Sequence, residues 1–352
     1  MIASKVVDLL GPEADYYLTH TCRTISKLHL HIPSPHFADE VWIPSDRNIA
    51  TLKSLRAMFG HGRLAGTGYL SVLLAGQGVE YTAGSSFAAN PLYFDPENIL
   101  RLAIEGGCSA LASTFGVLGM TARKYAGRIP FIVKLNHNEL LTCPRSHAQM
   151  SFGTVKEAWN MGATAIGASV YFGSEEGQQT ISDVADAFQY AHELGMATVL
   201  WCYLQNDNFH KDETDYHTAA DLTGQANHLG ASMQADIVVQ KLPLVNGGFP
   251  ALNYAPYSHT TYAELTTGHP IDLCRYQVAN GYMGRVGLIS SDNNPQGHFT
   301  VRDTLLAAIV NKRAGGMGLA GGTAIFQRPL KEGVEILHAI QDIYREPEIT
   351  IA

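Results

Sequence analysis

From about residue 66 to the end of the chain, short apolar runs alternate with longer segments whose apolar positions recur at helical spacing. Eight runs read as strands: GYLSVLLA (68–75), SALAST (109–114), FIVKLN (131–136), TAIGASVYF (164–172), ATVLWCYL (197–204), ADIVVQK (235–241), RVGLISS (285–291) and GGMGLAGG (315–322). Between them lie amphipathic stretches such as ENILRLAIEGG (97–107), VKEAWNMGA (155–163), SDVADAFQYAHELGM (182–196) and TLLAAIVNKRAGG (304–316), many of them stopped by glycine. Apolar strands with small residues, alternating with helices, indicate a parallel sheet covered on its outer face. Eight such units close a barrel more naturally than an open sheet. The pattern therefore predicts an α/β fold, a (β/α)8 barrel over 66–352. Residues 1–65, broken by Pro33, Pro35 and Pro44, are expected as an N-terminal extension packed on it. The stretches 205–220 and 243–270 read as loop insertions after strands five and six, at the C-terminal mouth where barrels build their sites.

Composition narrows the class. Of 352 residues, 46% are hydrophobic and 16% charged, which suits a large globular core rather than disorder. A net charge of −8 argues against a nucleic-acid coat. The five cysteines (Cys22, Cys108, Cys143, Cys202, Cys274) are widely spaced, which points to reduced thiols rather than a disulfide framework. No signal peptide or membrane span is visible at the N-terminus, so a cytoplasmic protein is expected. The fifteen histidines are dispersed without a metal-ligand spacing, and no metal or cofactor is called for.

Candidate chemistry sits at strand ends. Lys134 stands inside the apolar run FIVKLNHNE, where a lysine is costly unless paired. It is either held by a carboxylate of a neighbouring strand or kept as a functional amine. Lys241 closes ADIVVQK and shares a strand face with Val239, so an inward Val239 implies an inward Lys241; the other reading is an exposed strand-end lysine. Tyr171, just before Gly173, is either a mouth phenol for proton transfer or a packed aromatic. The endings GLISSDNN and GLAGGT fit phosphate-holding turns, with Gly321 and Gly322 as backbone donors, although glycines also serve tight turns.

These residues, with the blocks GRLAGTGYLSV, SFAANPLYFDPENI, RIPFIVKLNHNE, VYFGSEE, ADLTGQANHL, PIDLCRYQVAN and VNKRAGGMGL, resemble the DhnA-type class I fructose-bisphosphate aldolases over nearly the whole chain. The resemblance implies metal-free cleavage of fructose 1,6-bisphosphate through an imine on a strand-six lysine. A tyrosine after strand four assists, matched by Tyr171, and a phosphate is held after strands seven and eight by residues matching Ser291, Gly321 and Gly322. It also implies a homo-oligomer and a small sugar-phosphate ligand. Five features of that site are replaced here. The nucleophilic lysine falls at Val239 and the first-strand aspartate at Gly76. The Ser-Gly-Gly phosphate turn becomes Ser291-Asp292-Asn293, and arginines fall at Thr323 and Gln205.

Three readings follow. Lys241 replaces the absent lysine, although two strand residues amount to roughly 6.6 Å, and the relatives carry a lysine there beside the nucleophilic one. Alternatively the chain is a non-catalytic paralogue kept for assembly, ligand sensing or partner binding. In the third reading the barrel runs different chemistry with Lys134, Glu80 and Tyr171 on a less phosphorylated substrate. Loss of the imine-forming amine argues against ordinary aldolase activity.

Overall fold

The computed structural model describes residues 2–76, 78–80, 82–141, 148–254, 256–291 and 300–352, with the backbone alone described at 2–5 and 323. Eight parallel strands close a barrel in chain order: β1 (Leu70–Ala75), β2 (Ala110–Ser113), β3 (Phe131–Lys134), β4 (Ala165–Phe172), β5 (Ala197–Leu204), β6 (Ile237–Lys241), β7 (Gly287–Ser291) and β8 (Gly318–Gly321). Each lies within one of the eight runs read from the sequence. The barrel closes where β8 pairs with β1, Leu70 beside Gly318. Only glycine fits that seam, because an added Cβ at Gly318 would overlap the Leu70 carbonyl oxygen.

The intervening helices start and stop on local chemistry. The helix Pro96–Glu105 begins with Pro96 at its first position and with the Asp95 side chain accepting from the Glu97 N–H. The helix Val301–Ala314 opens on a capping box between Thr300 and Asp303 and ends at Gly315 in the left-handed region, φ 94°.

Strand alternation sorts the apolar residues into two cores. Outward residues such as Leu111, Val133, Ile166, Leu200, Val238 and Leu288 pack under the helices. Inward residues, among them Val72, Ile132, Val199, Trp201, Ile237, Val239 and Ile289, form one cluster with Phe37, Val41, Trp42, Leu55, Met58 and Phe59. Those six come from the segment preceding β1 and floor the barrel. The floor is tied down by polar contacts at the N-terminal strand ends. Ser54 Oγ donates to the Gly195 carbonyl at 2.7 Å, and Arg47 Nε donates to buried Asp236 at 2.6 Å.

Three buried cations staple the remote ends of the chain, and all three donate to backbone carbonyls. Arg275 donates to Ile25, Ala314, Arg313 and Ala352; Arg313 to Tyr17, His20 and Thr350; Lys312 to Ile343 and Glu346. Burial pushes the Lys312 amine down to about 8.

The two insertions read as loops carry short elements. After β5, a 3-10 turn Asp207–Phe209 leads into a hairpin pairing His210–Lys211 with Thr214–Asp215. After β6 come the short helices Gly248–Leu252 and Thr261–Leu265. This second insertion is pinned through buried Asp221, which accepts from Phe249 N at 2.8 Å, and through the Tyr262 hydroxyl, which accepts from Gly248 N at 3.1 Å. Among the described residues, no helix is long and apolar enough to cross a membrane.

Candidate active site

The barrel interior is filled at mid-height by Trp201, the largest of its fully buried side chains. Its indole reaches β4 because residue 167 is glycine; an added Cβ there would stand 2.8 Å from the ring. Lys134, at the end of β3, holds its ammonium 5.2 Å from the indole centroid. That ammonium donates to Glu80 at 2.9 Å, and His137 Nδ1 stands 3.8 Å from the same carboxylate oxygen. Burial alone would raise the Glu80 carboxyl, but the Lys134 charge and His137 outweigh it and hold it at about 2. Burial keeps His137 below the usual histidine range despite Glu80. The carboxylate that pairs Lys134 thus comes from the turn after β1, not from the adjacent strands β2 or β4. A turn lying above the strand ends can reach past its immediate neighbour.

On β6 the alternation expected from the sequence holds. Val239 faces inward, 1% exposed, in register with Trp201 on one side and Ile289 on the other. Lys241 points the same way and is half-buried, its amine 5.2 Å from the Tyr203 ring. Tyr203 donates its hydroxyl to Ser291 Oγ at 3.4 Å and lies 5.6 Å, centroid to centroid, from Tyr171. One patch of the inner wall therefore presents Tyr171, Tyr203, Lys241 and Ser291 together. Burial lowers the Lys241 pKa, opposed by the more distant Asp215 carboxylate, and no carboxylate among the described residues is ion-paired with it.

The remaining replaced positions are diverse. At Gly76 a Cβ would meet none of the described atoms within 4 Å. Gln205 follows β5, its N–H donating to Phe172 O at 3.0 Å. Thr323 begins the short helix Thr323–Phe326, and its side chain lies outside the described part. Asp292 and Asn293 lie outside the described residues. Gly321 ends β8, and the Gly322 carbonyl accepts from Ile325 N at 3.0 Å.

One cluster escaped the sequence reading. His210, Asp215 and His217 place ligand-type atoms within 4.8 Å of one another on the β5 hairpin. Their linear spacing matches no metal motif; only pairing His210 with Asp215 across the hairpin brings them together. His217 Nε2 accepts from the Asn206 N–H at 3.0 Å, which leaves the proton on Nδ1, donating to Asp215 at 2.6 Å. In this tautomer His217 ties Asp215 of the hairpin to the Asn206 amide just after β5, while His210 Nε2 stands 3.8 Å from Asp215.

A closed parallel barrel with lysines and tyrosines on its inner wall near the strand ends has the build of an α/β-barrel aldolase. The family model for DeoC/LacD family aldolases matches residues 70–328, so the chain belongs to that family. A probable fructose-bisphosphate aldolase class 1 of Chlamydia muridarum (strain MoPn / Nigg) is 57% identical over 349 residues, covering 99% of this chain and 100% of that protein. Among solved structures, a fructose-bisphosphate aldolase from Slackia heliotrinireducens superimposes with a TM-score of 0.70 at 22% identity, over 87% of this chain and 90% of that one. An archaeal fructose 1,6-bisphosphate aldolase gives 0.65 at 23% identity, over 84% and 100%. These two likenesses establish the same barrel fold.

Proposed function

We propose that this barrel binds a small carbonyl metabolite with at most one phosphate at its mouth, and that it has lost ordinary cleavage of fructose 1,6-bisphosphate. The observation that carries this reading is Val239, an inward, buried isopropyl group where the resemblance puts the imine-forming amine. An alkyl side chain offers no lone pair to a carbonyl carbon, and covalent catalysis requires the nucleophile itself. Gly76 supplies no carboxylate for the proton movements that accompany cleavage. In this reading Tyr171 serves as an acid–base group. Ser291 and the turn at Gly321 and Gly322 hold the anionic end of the ligand, and Lys134, neutralised by Glu80, orders the polar side of the cavity. The family relationship supports a barrel that still recognises small carbonyl compounds, in a cytoplasmic homo-oligomer.

A coupled assay of fructose 1,6-bisphosphate cleavage tests the reading, together with borohydride trapping in the presence of dihydroxyacetone phosphate and peptide mapping. Cleavage at least about a thousandfold below that of the Chlamydia muridarum relative, assayed in parallel, is the expected outcome. Comparable turnover accompanied by a trapped adduct on Lys134 or Lys241 would overturn it.

A further inference from the structure

We propose that His20 and His269 form an acid-sensitive clamp, in which proton uptake at Nδ1 of His269 releases residues 14–25 from the helix Pro270–Asn280 while the barrel stays closed.

His269 is the N-cap of that helix and is only 8% exposed. Both of its ring nitrogens are committed. Nδ1 accepts from the Ile271 N–H at 3.2 Å, so the proton sits on Nε2, which donates to the Tyr16 carbonyl at 2.9 Å. One neutral tautomer therefore serves both sides of the contact, the start of the helix and the N-terminal segment. A second proton can enter only at Nδ1. It would turn the acceptor of the Ile271 N–H into a donor, and two donors would then face each other. The clash would fall at a helix start, where the free N–H groups already carry partial positive charge.

The surroundings sharpen the effect. His20 stacks on His269 with ring centroids 3.6 Å apart and planes 3° from parallel, and the Tyr16 ring lies 4.2 Å away. His20 Nε2 donates to buried Asp272 at 2.7 Å, and the other oxygen of that carboxylate accepts from the Thr267 hydroxyl at 2.6 Å. From the helix Val301–Ala314, Arg313 donates to the Tyr17 and His20 carbonyls at 2.7 and 2.8 Å. Beyond Tyr17, Glu13 and Arg302 are paired with each other. A charge on His269 would thus meet the His20 ring and the Arg313 guanidinium, while Asp272 is already engaged by His20 and Thr267. Burial, helped by His20 and Arg313, keeps His269 below the usual histidine range against the pull of the Tyr16 carbonyl and Asp272.

The open form consequently binds more protons than the closed one. The clamp is at full strength above the ordinary histidine value of 6.5 and weakens as the pH falls below it. Tyr17, with Pro270 and Leu273, lines a cavity of about 330 Å³ that also meets Ser291 at the barrel mouth. Opening the clamp takes Tyr17 out of that wall.

The test is hydrogen–deuterium exchange of the full-length protein at about pH 7.5 and about pH 5.5, with rates corrected for intrinsic exchange. Peptides covering residues 14–25 and 270–275 should exchange up to about tenfold faster at the lower pH, about one unit below the ordinary histidine value. Peptides from the barrel strands should not change. His269→Asn and His269→Gln do not titrate, and both should lose the pH dependence while retaining the parent circular dichroism. Asparagine caps helix starts well, so His269→Asn should keep the helix start protected at both pH values. A rise below about twofold in the parent would overturn the clamp, since one titrating histidine supplies more than that. An equal rise across the barrel strands, or a rise that persists in either folded variant, would overturn it as well.

Discussion

Gly76 and Lys134 show how differently two side-chain positions at one mouth respond to change. Because a Cβ at Gly76 meets none of the described atoms within 4 Å and its φ is not in the left-handed region, Gly76→Asp should fold normally. Its denaturation free energy should stay within about 0.5 kcal/mol of the parent. Lys134→Met should behave in the opposite way, because it leaves Glu80 partly buried with no cation bonded to it. A loss of about 3–5 kcal/mol near neutral pH is expected in urea unfolding. The pH dependence has a definite sign. In the parent, Glu80 sits at about 2 against an ordinary carboxyl value of 4.5, so its stabilising contribution is complete above that ordinary value and disappears as the pH falls toward 2. Removing Lys134 lets burial raise the carboxyl, so the deficit of the variant should shrink on acidification. A deficit that is constant with pH would show that the ion pair does not set the Glu80 pKa.

At the scale of strands and turns, the barrel was legible because its signal is local and repeated. Each strand is a short apolar run, and two helices start at side-chain caps on Asp95 and Thr300, the second stopping at Gly315. The inward direction of Lys241 was legible too, since a period of two ties it to Val239. What escaped was contact across turns. Glu80 reaches Lys134 past β2, and His210 meets Asp215 only through a hairpin, so neither pairing leaves a mark in linear spacing. The closing seam between β8 and β1 gives a sharp prediction. Gly318→Ala would drive a methyl group into backbone that cannot rotate away, at a cost of about 3 kcal/mol in denaturant unfolding. Gly247→Ala, at a position with no atom within 4 Å but a φ of 82°, should cost less, through backbone strain alone.

For the molecule as a whole, two of the sequence blocks that carry the resemblance hold remote parts of the chain together. Arg275 lies in PIDLCRYQVAN, and Lys312 and Arg313 lie in VNKRAGG; together they join residues 17–25 to residues 343–352 through carbonyl contacts. Sequence alone marked those blocks as shared, but which carbonyls they serve depends on packing between distant parts of the chain. Arg275→Met would strand several buried acceptors and should cost about 3 kcal/mol or more. Limited proteolysis should then cut first within residues 13–36, and unchanged resistance there would show that the staple is dispensable. The floor built from Phe37, Trp42, Leu55 and Phe59 has a different consequence. With the lower end plugged by these side chains, whatever lodges above Trp201 arrives and departs on the side where the strands end. Two solutes that both lodge there should slow each other's exchange, even where neither touches the same wall.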